Sequence, residues 1–311
     1  MGLPSKRILK SMSKVHLSQC PVCAGSDLLP HLQVRDHSIS GEDFELLRCS
    51  SCNLVLTQDA PDQSTIGPYY ESDEYISHSD TKEGVVNRLY HMARDFMLGS
   101  KRRTVESFQR AGGSKSMVDY GAGTGYFLDH MSRSGWKTFG VEPSDSGRDF
   151  AGSNFGLEVM TPDSFYADFS EQVGVVTMWH VLEHVHDLDG CLSKMNSILE
   201  EQGALIIAVP NYTSSDGGHY QEYWAAYDVP RHLWHFTPEA MKQLVEKHGF
   251  KLEGHKTMPL DAFYVSLLSE KYQQHSMALV RGFLQGFGSW MGGLGKSTRS
   301  SSVIYLFRKQ S

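Results

Sequence analysis

Val118-Asp119-Tyr120-Gly121-Ala122-Gly123-Thr124-Gly125-Tyr126-Phe127 sets three glycines at alternate positions between an apolar strand and a helix start. Glycine tolerates positive φ and carries no side chain, so a ligand can approach the backbone closely. The helix N-terminus behind the loop favours negative charge, which suits a ligand carboxylate. The spacing, G-x-G-x-G, differs from the G-x-G-x-x-G of dinucleotide enzymes.

Outward from this loop, strand and helix patterns alternate. Strands are predicted at Ser116–Tyr120, Trp136–Val141, Leu157–Met160, Val173–Met178, Ala204–Val209, Lys251–Thr257 and Ser302–Phe307. Helices are predicted at Tyr126–Ser134, Ser144–Ser153, around 189–200 and at Pro238–His248. Continuous apolar strands alternating with helices imply an α/β, Rossmann-like fold, its mostly parallel sheet covered by helices on both faces. Open sheets of this kind bind ligands at the carboxyl ends of their strands. Glu142 ends the second strand, about twenty residues beyond the glycines, where a carboxylate can accept both hydroxyls of a ribose.

Residues 116–210 resemble the core of class I S-adenosylmethionine-dependent methyltransferases, whose first motif reads acidic-x-G-x-G-x-G. The resemblance implies that Asp119, Gly121, Ala122, Gly123 and Gly125 hold the methionine part of the cofactor and Glu142 the ribose. It places Asp163 and Ser164 beside the adenine, and Trp179 and His180 against the cofactor. One departure is Gly174, at the start of the fourth strand, where the family often carries an acid.

Residues 18–60 follow a different logic. Cys20-Pro21-Val22-Cys23 and Cys49-Ser50-Ser51-Cys52 are two pairs of thiols, each with two residues between. Such turns aim both sulfurs at one ion, and two of them complete a tetrahedral structural zinc site in a small ribbon. Alternation in His31–Val34 and Phe44–Leu47 suits a hairpin between them. So small a unit has little core, and metal is expected to supply much of its stability. Paired thiols, with Cys191 left single, point to a reducing, cytoplasmic setting rather than a disulfide framework.

Residues 1–17 read as a basic tail and 61–83 as an acidic, aromatic connector. The methyltransferase-like domain spans 84–311, opening with a long helix over 84–110 whose Arg94, Lys101, Arg102 and Arg103 read as a solvated face. The 311 residues carry a net charge of -7, with 40% hydrophobic and 21% charged residues. That balance describes a globular chain and lowers the expectation of a nucleic-acid partner. No stretch reaches the roughly 20 apolar residues of a membrane span. Residues 278–295 could touch a membrane surface, but their glycines argue against a helix and favour an insertion packed near the last strand.

Methyl transfer to a hydroxyl or carbon acid needs a proton acceptor, for which histidine is suited. His232 ranks first, His235 second and His180 third. Glu183 and His184 read as scaffold. The 211–237 segment is a long loop rich in Tyr and Trp, which suits a small organic acceptor such as a sugar. Arg231–Thr237 resembles a segment of a bacterial methyltransferase group associated with cell-surface saccharides. A small saccharide-type acceptor is therefore expected. The alternatives are RNA methylation, with the ribbon reading RNA, and a non-catalytic cofactor-binding adaptor.

Overall fold

The computed structural model describes residues 13–70, 85–258 and 260–310. Residues 1–12 of the tail and 71–83 of the connector lie outside the described residues.

The central sheet has seven strands: β6 (Ser116–Tyr120), β7 (Lys137–Val141), β8 (Val159–Met160), β9 (Val173–Trp179), β10 (Leu199–Pro210), β12 (Phe250–Thr257) and β13 (Ser302–Lys309). Their order is β12-β13-β10-β9-β6-β7-β8, with β13 alone antiparallel to its neighbours. From β6 the chain winds outward through β7 and β8, then returns to β9 on the other side. The carboxyl ends of β6 and β9 thus form the switch point where open sheets bind ligands.

Helices α1 (Val85–Phe108), α2 (Tyr126–Arg133), α3 (Asp145–Phe155), α4 (Pro162–Asp168), α5 (Leu188–Ile198), α6 (Ser215–Tyr220) and α7 (Pro238–Glu246) connect and cover the strands. Side-chain caps start α3, α4 and α7: Ser144, Thr161 and Thr237 accept amides three residues on, satisfying donors that a helix start leaves bare. Gly174 has a packing reason. A Cβ there would fall 2.4 Å from the Ser114 carbonyl oxygen, leaving no room for an acid.

Two further helices, α8 (Asp261–Tyr272) and α9 (Ala278–Gly295), precede β13. The second corrects the expectation that its glycines would prevent a helix. Cβ atoms at Gly282 and Gly286 would lie 2.7 Å from the Cα atoms of Leu267 and Phe263 in α8. Glycine here permits near-contact of two backbones, and the packing outweighs a propensity cost of about 1 kcal/mol per glycine. The opposite face leaves Leu279, Phe283, Leu284, Phe287, Met291 and Leu294 exposed. No described helix is long and apolar enough to cross a membrane.

The N-terminal sheet contains the expected hairpin, β2 (Leu28–Arg35) with β3 (Asp43–Cys49), followed by β4 (Val55–Thr57). Its fourth strand is β11 (Trp234–His235), from the loop that precedes α7. A second small pairing joins β1 (Lys14–Val15) to β5 (Ala60–Pro61). The ribbon is not left to metal alone: Cys20, Val22, Leu54 and Leu56 share one apolar cluster with Leu188, Leu233, Trp234 and Leu244.

Candidate functional site

The glycine loop turns tightly at the tip of β6. The amides of Gly121 and Ala122 both donate to the Val141 carbonyl, at 2.8 and 2.9 Å. Gly121, Gly123 and Gly125 all have positive φ. Gly121 is also hemmed in: a Cβ would lie 2.3 Å from Cγ2 of Val181. Glu142 is 9% exposed and holds the loop, accepting from the Gly123 amide at 2.8 Å and the Ser144 amide at 2.9 Å. Asp163 and Ser164 sit exposed on the first turn of α4, just after β8.

Asp119 and Thr177 meet across the switch point, the Thr177 hydroxyl donating to Asp119 Oδ1 at 2.6 Å. Burial pushes the Asp119 carboxyl up to about 6, against the opposing effects of Thr177 and Lys101. Lys101 is a residue the sequence misplaced. Its ammonium lies 4.8 Å from the Trp179 ring centre and 5.6 Å from that of Phe127. Burial pulls it down to about 8 although Asp119 attracts it. Two more of that run are engaged: Arg94 stacks at 3.9 Å on Tyr126, and Arg102 donates to Ser134. Of the four, Arg103 is exposed.

Trp179 ends β9 and His180 follows it. Trp179 is packed edge-on against Phe127. His180 has φ 58°, its amide donating to the Ala208 carbonyl, which turns the ring off the strand. Nδ1 lies 3.3 Å from Glu183 Oε1, and Nε2 is 4.0 Å from Asp261 Oδ1. Burial lowers the His180 pKa, but Glu183 and Asp261 outweigh it and the net shift is upward. Residues 182–184 form a single 3-10 turn, so His180 and His184 do not share an α-helical face.

The 224–236 loop is interlocked with that turn and with the ribbon. The Leu233 amide donates to the Glu183 carbonyl, and Trp234 Nε1 to the Val185 carbonyl at 2.7 Å. Buried Arg231 donates to the Tyr69 carbonyl and pairs with Asp228 and Asp36. His232 is 8% exposed, its Nδ1 2.8 Å from the Ala226 carbonyl. His235 is 3% exposed, with Nε2 3.1 Å from Thr57 Oγ1. That hydroxyl gives its proton to the His232 carbonyl at 2.7 Å, so His235 Nε2 must be the donor and has no lone pair there. Tyr220, Trp224, Tyr227, Trp234 and Phe236 are all buried. They form the seam under the ribbon instead of an open aromatic wall, which corrects that part of the sequence reading.

The four ribbon cysteines converge, with Sγ pairs Cys20–Cys52 and Cys23–Cys49 each 3.4 Å apart and all four within 4.8 Å. A tetrahedral zinc with bonds of about 2.3 Å spaces its sulfurs by roughly 3.8 Å, so this cradle can hold one ion. Both halves repeat one turn: Ala24 and Asn53 adopt positive φ, and their amides return to the carbonyls of Cys20 and Cys49. The hydrogen bond from Cys52 draws the Cys20 thiol down to about 5, as in a pair sharing one proton.

Residues 92–255 match the family model described as a methyltransferase domain. No curated protein matches the chain significantly in sequence. Among solved structures, the magnesium protoporphyrin IX methyltransferase of Synechocystis PCC 6803 with bound SAH is similar, at 13% identity and TM-score 0.51. The match covers 80% of this chain and 100% of that one. An Archaeoglobus fulgidus SAM-dependent methyltransferase matches at 19% identity and TM-score 0.47, over 70% of this chain and 94% of that one. The first likeness supports the fold alone. The family model covers more than half of the sequence, and the chain belongs to the methyltransferase-domain family, as a class I S-adenosylmethionine-dependent enzyme.

Proposed function

We propose that this methyltransferase acts on a small hydroxyl-bearing acceptor of saccharide type, with His180 as the general base. The observation that carries the reading is the position of His180 directly after Trp179 at the tip of β9, beside the glycine loop. A carboxylate accepts but cannot donate, so Glu183 Oε1 fixes the proton on Nδ1 and leaves a lone pair on Nε2. Nε2 makes no hydrogen bond; it is itself buried although the side chain is 30% exposed, so an acceptor hydroxyl reaches it only as neighbouring side chains move aside. His232 and His235, ranked above it from sequence, are bound into the loop and the ribbon seam.

In this reading Asp119, Gly121, Ala122, Gly123 and Gly125 hold the methionine moiety, Glu142 the ribose, Asp163 and Ser164 the adenine edge, and Trp179 the cofactor's flank. The displacement at sulfonium needs alignment more than covalent help from the protein, and His180 takes the hydroxyl proton as the methyl moves. Zinc on Cys20, Cys23, Cys49 and Cys52 would be structural. A carboxylate and histidine environment, with a net charge of -7, supports a polyhydroxyl acceptor over RNA phosphates.

The test incubates zinc-loaded enzyme with methyl-labelled S-adenosylmethionine and fractionated cell extract, beside Gly123→Arg and His180→Asn variants. Label in the polar small-molecule or glycolipid fraction, lost in both variants, is expected. Label in RNA would overturn the acceptor class. Transfer that survives His180→Asn would remove the base assignment and leave the cofactor site standing.

A further inference from the structure

Three side chains beside the proposed base form a second cluster of metal-ligating type. Glu183, His184 and His232 each bring one donor atom within 4.8 Å of the other two. Glu183 is fully buried, yet its Oε2 has no hydrogen-bond partner. A buried carboxylate oxygen without a donor costs on the order of 1–3 kcal/mol or more, so the structure leaves a place for a cation.

The two imidazoles are set the same way. His184 Nδ1 lies 3.0 Å from the Arg231 carbonyl, with the Tyr70 hydroxyl at 3.1 Å, and His232 Nδ1 lies 2.8 Å from the Ala226 carbonyl. A carbonyl only accepts, so in both rings the proton is on Nδ1 and the lone pair is on Nε2. Metal-bound histidines are oriented in this way, one nitrogen on the ion and the other donating to a carbonyl or carboxylate. The rings stand nearly perpendicular, their centres 4.6 Å apart. The nearby guanidinium of Arg231 is already committed to Asp228, Asp36 and the Tyr69 carbonyl. With both Nδ1 atoms committed to carbonyls, the atoms left to face an ion are the two Nε2 lone pairs and Glu183 Oε2, which accepts no hydrogen bond.

We propose that Glu183, His184 and His232 bind a divalent first-row transition ion, of the zinc or iron(II) kind, separate from the cysteine site. Two nitrogens and one carboxylate oxygen match such ions; magnesium and calcium prefer all-oxygen sets. His184 is half-buried, which leaves one side of the ion open to water or another small ligand. Glu183 spends its second oxygen on His180, so the ion would fix the carboxylate that orients the proposed base.

Cobalt(II) is the probe, added to full-length protein whose cysteine site already carries zinc. Metal analysis should find one further equivalent per chain, with the weak visible absorption of nitrogen and oxygen ligation and no sulfur charge-transfer band. His232→Ala and Glu183→Gln should each weaken this binding at least tenfold while the zinc content stays at one. Anomalous scattering at the cobalt edge from wild-type crystals should place the ion between the three side chains, a measurement that needs no variant to fold. A single metal equivalent per chain, cobalt density elsewhere, or binding unchanged in both variants would overturn the proposal. So would a protonated histidine hydrogen-bonded to Glu183 Oε2 in cobalt-treated crystals.

Discussion

Replacing Asp119 by Asn should make the cofactor-free protein more stable while weakening its hold on the cofactor. The carboxylate is 2% exposed, and its pKa rises from 3.8 to about 6 on folding. At 1.36 kcal/mol per unit, the folded state carries a penalty of about 3 kcal/mol at pH 7, where the group is ionised whether folded or not. As pH falls through 6 the folded state takes up the proton first, so stability rises and about half of the penalty is gone at pH 5. Asn removes the charge and keeps an oxygen for the Thr177 hydroxyl. It also removes the attraction on the Lys101 ammonium, which trims the gain at pH 7 to about 2 kcal/mol. Lys101 stays mainly protonated over this range, so most of the decline in the gain between pH 7 and pH 5, about 1 kcal/mol, belongs to Asp119. Urea unfolding of both proteins without cofactor measures it through the midpoints at constant slope. An Asn variant less stable at pH 7, or a gain that is equal at both pH values, would refute the reasoning. A site that holds charge at the expense of stability is expected where a ligand later supplies the compensation.

Gly121→Ala should lose roughly 2–5 kcal/mol, combining the left-handed backbone, φ 84°, with overlap on Val181. Thermal unfolding checks this, and Val181→Ala in the same chain should recover the overlap part only; full recovery would show that the backbone is unstrained. If the four cysteines hold zinc as proposed, stripping it with a chelator should cost several kcal/mol, less than the roughly 10–16 kcal/mol of isolated zinc-finger peptides because the ribbon shares its core. Amide exchange should accelerate at Val55–Thr57 and at Trp234 and His235, and unchanged protection at β11 would refute the coupling.

The parallel core was legible because its signals are local. Apolar runs of strand length, glycines at a loop and a carboxylate at the next strand tip each fall within a few residues, and all lie close to the expected places. The ends of the loops were not legible, because their partners are far away in sequence. Glu183 is brought beside His232 by a contact between distant parts of the chain, the Leu233 amide on the Glu183 carbonyl. Lys101 looked like part of a solvated charge run, since periodicity gives the face of the stem and not where a long side chain ends. The aromatics of 211–237 read equally well as wall or core, and their neighbours across the ribbon decided it. In α9 the glycines were read as helix breakers because their benefit lies in a second helix.

The β4–β11 pairing has a consequence for the order of assembly. Thr57 and His235, joined by a hydrogen bond, are 178 residues apart in sequence. At a synthesis rate of about 5–20 residues per second, the early strand waits roughly 10–35 s for its neighbour to leave the ribosome. During that interval β4 presents an open hydrogen-bonding edge and an uncovered apolar side to whatever is near. A segment made well before its partner is thus among the last to be completed, and early occupation of the four thiols by metal would keep the nascent hairpin from pairing with another chain.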